Sequence, residues 1–358
     1  MRTVSQDALR RQLREVFNAW GVSRENSDII VENMVESDLR GIDSHGVGML
    51  PKYDEYRRNG ALDPKANMRI VRDFGAIALI DADHGLGHAP ATRAMQMACD
   101  KAEQFGVGVA SVRNSNHFGA AGVYASMAAD RGLIGMCMTG TTQRSVLPTF
   151  GKEPRFSTNP IAFAAPAKRN NAFSLDMATS TVAVGKLNIA RRAEKPLPIG
   201  WAHDDQGRPT TDPVAALSAT PKRLSPLGGT RELGSHKGYG LAVMVDILSS
   251  VLSGSLIGGH DPKTGDRNKY INVGHFCLAL NPEAFREEGE FGDNMDDLLD
   301  MLRDTIPVDK DQPVLVAGDP EYAEHARRSA EGVPMTDILA GEIREVAEQC
   351  GAPYLLGN

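Results

Sequence analysis

The stretch Arg113 to Gly122, RNSNHFGAAG, gathers residue types that can move a proton beside an anion. His117 stands where a strand-like run, Val107 to Val112, gives way to a helix-like run from Gly119 to Arg131. Asn114, Ser115 and Asn116 lead into it. A helix start presents unpaired N–H groups and a partial positive charge, which suits an anionic substrate or a phosphate. An imidazole there can give or take a proton near neutral pH. The same ring could instead do no more than cap the helix.

Four other stretches carry comparable residue types. Ser44-His45 sets a hydroxyl beside a proton donor, which could serve a carbonyl substrate or form a hydrolase pair. No GxSxG elbow accompanies it, and His45 could equally be a structural histidine. GLGHAP, Gly85 to Pro90, resembles the opening of a dinucleotide fingerprint, but Pro90 stands where the third glycine belongs. The following strand ends without an acid for the ribose. A tight strand-to-helix turn with Pro90 in the first helical turn is the simpler reading. His84 and His88 are four apart, yet no Cys, Glu or third His nearby completes a metal set, so no metal is expected. Asp176 to Ser180, DMATS, follows a strand and is expected to start a helix, where Thr179 and Ser180 could cradle a phosphate or simply cap. Ser235 to Gly240, SHKGYG, opens another helix, and Lys237 there could meet a phosphate or carboxylate.

These groups need a scaffold, and the chain of 358 residues is long enough for two or three lobes. Its 41% hydrophobic and 24% charged residues are ordinary for a globular protein. A net charge of −7 and a pI near 5.8 argue against a nucleic-acid binder. The polar start does not read as a signal peptide, and no run reaches the roughly 18 apolar residues of a membrane span. Cys137 and Cys277 lie in apolar runs and read as buried free thiols, which places the protein in the cytoplasm. Leu9, Leu13, Val16, Phe17 and Trp20 repeat at helical spacing, as do Ile30, Val31, Met34, Val35 and Leu39. From Met68 strands and helices alternate, with helices predicted over 178–190 and 237–252 and a long loop over 194–226. The last part, from about Asn294, is mostly helical again. The expected fold is α/β with a mixed sheet. A helical lobe is built from 1–65 with 290–358, around a central lobe, 66–289, in which 120–230 could form a subdomain.

Taken in order, DSHG at Asp43, NSNHFG at Asn114, STNPIAFAAP at Ser157, DMATS at Asp176 and HKGYGLA at His236 resemble the malate/L-lactate dehydrogenase family of the second type. That family includes ureidoglycolate, sulfolactate and 2,3-diketogulonate oxidoreductases and cyclic-imine carboxylate reductases. The resemblance spans about Leu9 to Pro334. It implies an enzyme using NAD or NADP on a non-Rossmann fold, acting as a homodimer with its site in a cleft near the subunit interface. His117 or His45 is implied as proton donor and acceptor, with Ser44 beside them. Tyr53 is implied to line the substrate site. Thr141, Asn159, Asp176, Met177, Ala178, Lys237, Gly318, Asp319 and Glu321 fall at cofactor positions.

Two departures bear on substrate. Met49 replaces an arginine that clamps the substrate carboxylate in many members, and methionine cannot make a bidentate pair. Either Arg40, Arg144 or Lys52 takes over, or the substrate sets an apolar group against Met49, as bulkier hydroxycarboxylates would. Arg144 and Arg155 are unusual in their segment and could favour a dianionic substrate or a phosphorylated cofactor. The expected reaction interconverts a 2-hydroxy acid and a 2-oxo acid. Reduction of a cyclic imine carboxylate to an L-amino acid is the alternative within the family. A hydrolase, a lyase or a non-catalytic binding protein lies outside it.

Overall fold

A computed structural model describes residues 2–140, 143–258 and 271–357. In chain order the elements are β1 (Arg2–Val4), α1 (Gln6–Ala19), α2 (Arg24–Leu39), α3 (Leu50–Arg58), β2 (Arg69–Phe74), β3 (Ile77–Asp81), α4 (His88–Phe105), β4 (Val107–Ser115), α5 (Ala121–Ala129), β5 (Ile134–Thr139), β6 (Ile161–Ala165) and β7 (Phe173–Met177). There follow α6 (Val184–Arg192), β8 (Ala202–His203), β9 (Pro209–Thr210), α7 (Pro213–Ser218), α8 (Ser235–Asp246), β10 (Val273–Leu280), α9 (Glu290–Arg303), α10 (Asp319–Glu331), β11 (Val333–Met335) and α11 (Asp337–Cys350).

The main sheet has seven strands in the order β2-β3-β4-β10-β5-β6-β7. Only β3 and β4 pair in parallel, across the α4 crossover; the other neighbours are antiparallel. A late strand, β10, fills the centre between β4 and β5, so this mixed sheet is not the all-parallel array of a Rossmann fold. Small residues set how closely helices lie on it. A Cβ at Gly108 of β4 would stand 1.9 Å from the Ala98 carbonyl of α4, and one at Gly135 of β5 would stand 2.4 Å from that of Ala125 in α5. Alanine-rich helices pressed on glycine-bearing strands fix the β4–α5 turn that carries His117.

Among the described residues, four hydrophobic cores hold the fold. The first joins both ends: Leu9, Leu13, Phe17, Met34 and Leu50 pack with Val333, Met335, Ile343 and Ala347. Burying each such side chain contributes about 1.5–3 kcal/mol, whereas exposed ion pairs such as Arg14–Asp28 contribute about 1 kcal/mol at most. Apolar burial therefore decides the packing. The second core lies between the sheet and α4 and α5, and the fourth lies under α8 on Met138, Val245 and Phe276. The third is a small cluster of Val146, Leu187, Leu197, Ala202, Ala216 and Leu224, from the stretch after β5.

Several boundaries differ from the sequence expectation. Residues 178–183 are not helical; α6 begins at Val184, and DMATS is the end of β7 running into extended chain. The supposed loop over 194–226 contains the β8–β9 hairpin and α7. The helix over 237–252 is α8 followed by a π-helical turn, Ile247–Val251. β1 and β11 form a two-stranded pair that three-residue runs could not announce. Cys137 and Cys277 are buried free thiols directly opposed on β5 and β10.

Among the described residues, two histidines lie wholly inside. His88 and His275 are 0% exposed, and burial pushes each imidazole down to about 3. A lowered folded-state pKa means the unfolded chain takes up the proton first. Their stabilisation is therefore complete above the ordinary histidine value and is lost as pH falls from there towards 3. Between pH 7 and 5 each should cost about 2 kcal/mol of stability. The melting temperature is expected to drop over that interval, and a His88→Phe variant to drop a few degrees less. Equal drops in both proteins would show that His88 does not contribute.

Candidate active site

The β4–α5 turn is pinned by its own polar residues. Ser115 Oγ meets His275 Nε2 at 2.7 Å, Asn116 Nδ2 donates to the Ala61 carbonyl at 3.1 Å, and Asn116 Oδ1 accepts the His117 N–H at 2.9 Å. Asn114 and Gly119 take positive φ, 51° and 79°, which lets the chain reverse before α5. Phe118 stacks between His275, 4.6 Å away, and Tyr124, 4.9 Å away. The three small polar residues before His117 are thus used to hold the turn.

Ser44 and His45 come from the α2–α3 connection, a separate part of the chain. Ser44 Oγ meets His45 Nδ1 at 2.8 Å. The rings of His45 and His117 stack with centroids 5.5 Å apart and planes 28° apart. Behind His117 stands Tyr53 of α3, 0% exposed, with its hydroxyl 2.7 Å from His117 Nδ1. The Gly119 N–H also points at that nitrogen, at 3.3 Å. A backbone N–H can only donate, so Nδ1 is the acceptor, Tyr53 donates to it, and the ring proton is assigned to Nε2. Through this bond Tyr53 fixes the orientation of the His117 ring. Its own edge meets the His88 ring at 5.6 Å.

The electrostatics favour neutral rings. Burial, with His45, His88 and His275 around it, holds the half-buried His117 well below the ordinary histidine value. Burial lowers His45 as well. Charging one of two stacked imidazoles opposes charging the other, so the pair favours a single shared proton over two.

The remaining expected residues fall in several places. Arg40 bonds Glu36 at 2.7 Å and Ser126 at 2.9 Å, and lines a cavity of 290 Å³ with Ser174, Glu321 and Tyr322. Gly318, φ 105°, precedes α10, and a Cβ there would stand 3.1 Å from Ser174 Cβ. Asp319 pairs with Arg303 at 2.8 Å, which keeps its carboxyl below the usual range. Asp176 accepts the Gly122 N–H at 2.7 Å, so it caps α5 from across the sheet and does not start a helix of its own. Met177 pairs with Ile161 at the end of β7, and Ala178 follows. Thr179 donates to the carbonyls of Thr158 and Asn159, and Ser180 to that of Val182, so both hydroxyls are engaged within the protein.

Asn159 is buried and ties Ser157 to the Ala242 carbonyl on α8. Lys237 is exposed in the first turn of α8. Met49 packs against the first core, Lys52 bonds Glu55 at 2.8 Å, and Arg144 donates to the Gly258 carbonyl at 2.7 Å. Arg155 pairs with Glu153. Thr141 lies outside the described residues. Three residues near the histidine pair gave no adequate sequence signal. His88 was visible only as half of an i, i+4 histidine pair, His275 sits in an apolar run, and Asp38 looks like any surface acid of a helix.

Comparison with known proteins follows the same order of motifs. The family model described as malate/L-lactate dehydrogenase matches residues 4–344. A malate dehydrogenase of Pyrococcus abyssi is 38% identical over 353 residues, 98% of this chain and 96% of that protein. An L-sulfolactate dehydrogenase of Methanocaldococcus jannaschii is 36% identical over 337 residues, 94% of each. Among solved structures, a malate dehydrogenase from Entamoeba histolytica superposes with a TM-score of 0.92 at 34% identity, covering 98% of this chain and 99% of that one. A delta1-piperideine-2-carboxylate reductase from Pseudomonas syringae gives 0.83 at 29% identity, covering 97% of this chain and 100% of that one.

The turn that carries His117 has little room for error. A Cβ at Gly87 would stand 2.4 Å from the Asn116 carbonyl and 2.9 Å from His275 Nε2, although the backbone there suits any residue. Gly87→Ala should therefore cost about 1–3 kcal/mol in stability and lower turnover by displacing the turn. Gly341→Ala, in α11 with nothing within 4 Å, should instead stabilise by about 0.5–1 kcal/mol. Chemical denaturation of both variants checks this; equal stabilities would refute the steric argument.

Proposed function

The chain belongs to the malate/L-lactate dehydrogenase family, and from that premise we propose that it interconverts a 2-hydroxy acid and the corresponding 2-oxo acid with NAD or NADP. One observation carries the assignment of the chemistry to residues. Two imidazoles from separate loops stack at 5.5 Å, and each has Nδ1 tied to a hydroxyl, Ser44 for His45 and Tyr53 for His117. Nε2 of each ring is then the atom left to meet a substrate oxygen.

When bound, the nicotinamide exchanges a hydride with the substrate carbon. The histidine pair supplies the matching proton to the carbonyl oxygen in reduction and removes it from the hydroxyl in oxidation. His117, neutral with its proton on Nε2, polarises the oxygen as a hydrogen-bond donor. His45, the less enclosed ring beside Ser44, exchanges the proton. Ser44 and Tyr53 keep both rings in register. The cavity at Arg40, Ser174, Glu321 and Tyr322 fits part of a dinucleotide. Gly318 lets backbone approach closely there, Glu321 can accept hydroxyl groups and Arg40 adds a positive charge. Lys237, exposed at the start of α8, would meet a phosphate. Met49, packed against the first core, offers no charge to a substrate carboxylate, in keeping with a substrate that carries an apolar group.

A second reading, reduction of a cyclic imine carboxylate, is supported by the likeness to the piperideine-carboxylate reductase. Both reactions need a proton donor beside the reduced carbon. We also read the working form as a cytoplasmic homodimer. The exposed apolar residues Ile70, Val71 and Phe74 along edge strand β2, with Phe74 at 80% exposure, favour burial against another copy, and free thiols at Cys137 and Cys277 suit a reducing compartment.

The test is oxidation of NADH and NADPH, separately, against 2-oxo acids from oxaloacetate to phenylpyruvate and against cyclic imine carboxylates. Turnover with a 2-oxo acid is expected. His45→Ala and His117→Ala should each lower kcat by about 10²–10⁴-fold while nucleotide affinity stays nearly constant. Unchanged turnover in both single variants would remove the pair from the mechanism, and turnover confined to imines would favour the second reading.

A further inference from the structure

The loop that presents Ser44 and His45 is clamped from two sides by groups that touch neither substrate nor cofactor in this reading. α2 ends at Leu39, and the chain reverses through Gly41, φ 79°, with Ile42 N–H returning to the Ser37 carbonyl at 2.9 Å. Asp38, in the last helical turn, is 2% exposed, and its carboxylate reaches across the loop to accept the Val47 N–H at 2.8 Å. The loop crosses this carboxylate so closely that a Cβ at Gly46 would stand 1.9 Å from Oδ1. A buried acid at a helix C-terminus is in an unfavourable place, since both burial and the helix dipole oppose its charge. Burial indeed pushes this carboxyl up to about 7, against the pull of Val47 N–H and Arg328, with Asp43 adding repulsion. The acid's position makes sense if holding the loop is its task.

The second clamp comes from α10. Arg328 is 6% exposed and donates to the Asp38 carbonyl at 2.7 Å and to both carboxylate oxygens of Asp43, the residue before Ser44. Its Nε donates to Glu324 at 2.8 Å, and Glu324 packs against Gly41, where a Cβ would stand 3.2 Å away. A planar guanidinium with five donors can reach a helix end, a loop acid and its own helix together; an ammonium cannot. The other end of α10 starts at Gly318, pressed on Ser174 beside the cavity proposed for the dinucleotide. Between Gly318 and Arg328 the helix rises about 15 Å.

We propose that Asp38 and Arg328 are positioning residues for the Ser44–His45 loop, and that α10 is the strut tying this loop to the Gly318–Glu321 segment. The proposal rests on the reading of His45 as a proton-transfer group. Position itself can be followed without turnover. In the intact protein the His45 ring is expected to give one set of NMR signals. Asp38→Ala should shift or multiply them, while Asp38→Asn, which keeps the acceptor for Val47, should largely restore them. Arg328→Lys should give an intermediate result.

In turnover, Asp38→Ala should lower kcat at least tenfold with nucleotide affinity within twofold. The effect should vanish in a His45→Ala background, because a residue acting through His45 has nothing left to position. An additive loss in the double variant, or an unmoved His45 signal in Asp38→Ala, would overturn the proposal. If the Ala variant fails to fold, the near-isosteric Asp38→Asn and Arg328→Lys variants carry the same cycle. If the wild-type protein turns over none of the substrates above, the proposed reaction fails, whereas the NMR result still decides the positioning claim.

Discussion

Burial makes a hydrogen-bond partner valuable to each imidazole nitrogen, and His275 finds two, on two different strands. Nε2 meets Ser115 at the end of β4, and Nδ1 meets Thr139 at the end of β5, at 2.8 Å. The bond therefore cross-links the three central strands at the edge where the chain leaves the sheet. β10 lies between β4 and β5, and its pairing with β4 carries a register irregularity between Val273 and His275. Ser115 sets where β4 ends, and the direction of His117 follows two residues later.

The same burial shapes the charge state of the whole cluster. His88 has neither ring nitrogen bonded within the protein, His275 has both, and each keeps its ring neutral against protonation. They surround His117 with groups that gain nothing by being charged and lose much. A proton entering this neighbourhood has its most accessible place on His45, the ring nearest the surface connection. On the proposed reading this arrangement leaves a fixed hydrogen-bond donor on His117 and an exchangeable proton on His45. Tyr53 completes it by occupying the one nitrogen of His117 that would otherwise compete.

Much of this was legible in the sequence, for identifiable reasons. The apolar spacing of α1 and α2, the alternation of strands and helices after Met68, and the ordered motifs from DSHG to HKGYG all reflect local or strictly ordered constraints. What stayed hidden depends on partners distant in sequence. Asp176 follows a strand and precedes small residues, as a helix start would, but its carboxylate caps α5, whose first residue lies 55 positions earlier. Thr179 has phosphate-binding chemistry on paper, and its hydroxyl donates to the carbonyls of Thr158 and Asn159 on the preceding loop. Arg40 bonds Ser126, 86 positions on, a contact that no local pattern announces. The pairing of β1 with β11 joins residues more than 300 apart, and no periodicity within three residues could express it.

The two histidines also belong to different packing units. His45 stands on a connection anchored in the first core, where the chain ends meet, whereas His117 stands on the sheet and its alanine-rich helices. Their 5.5 Å stacking distance is thus a statement about how two cores are joined, and small shifts between them would separate the rings before either core lost stability. Tyr53 answers that hazard directly. Its ring belongs to the first core, and its hydroxyl holds a histidine of the second. Asn33 of α2 bonding Thr92 of α4 at 3.2 Å makes a further tie of the same kind. Hydrophobic burial holds each unit together without fixing an angle between them, because it has no direction. The directed bonds across the junction, few and largely buried, supply the angle that the chemistry needs.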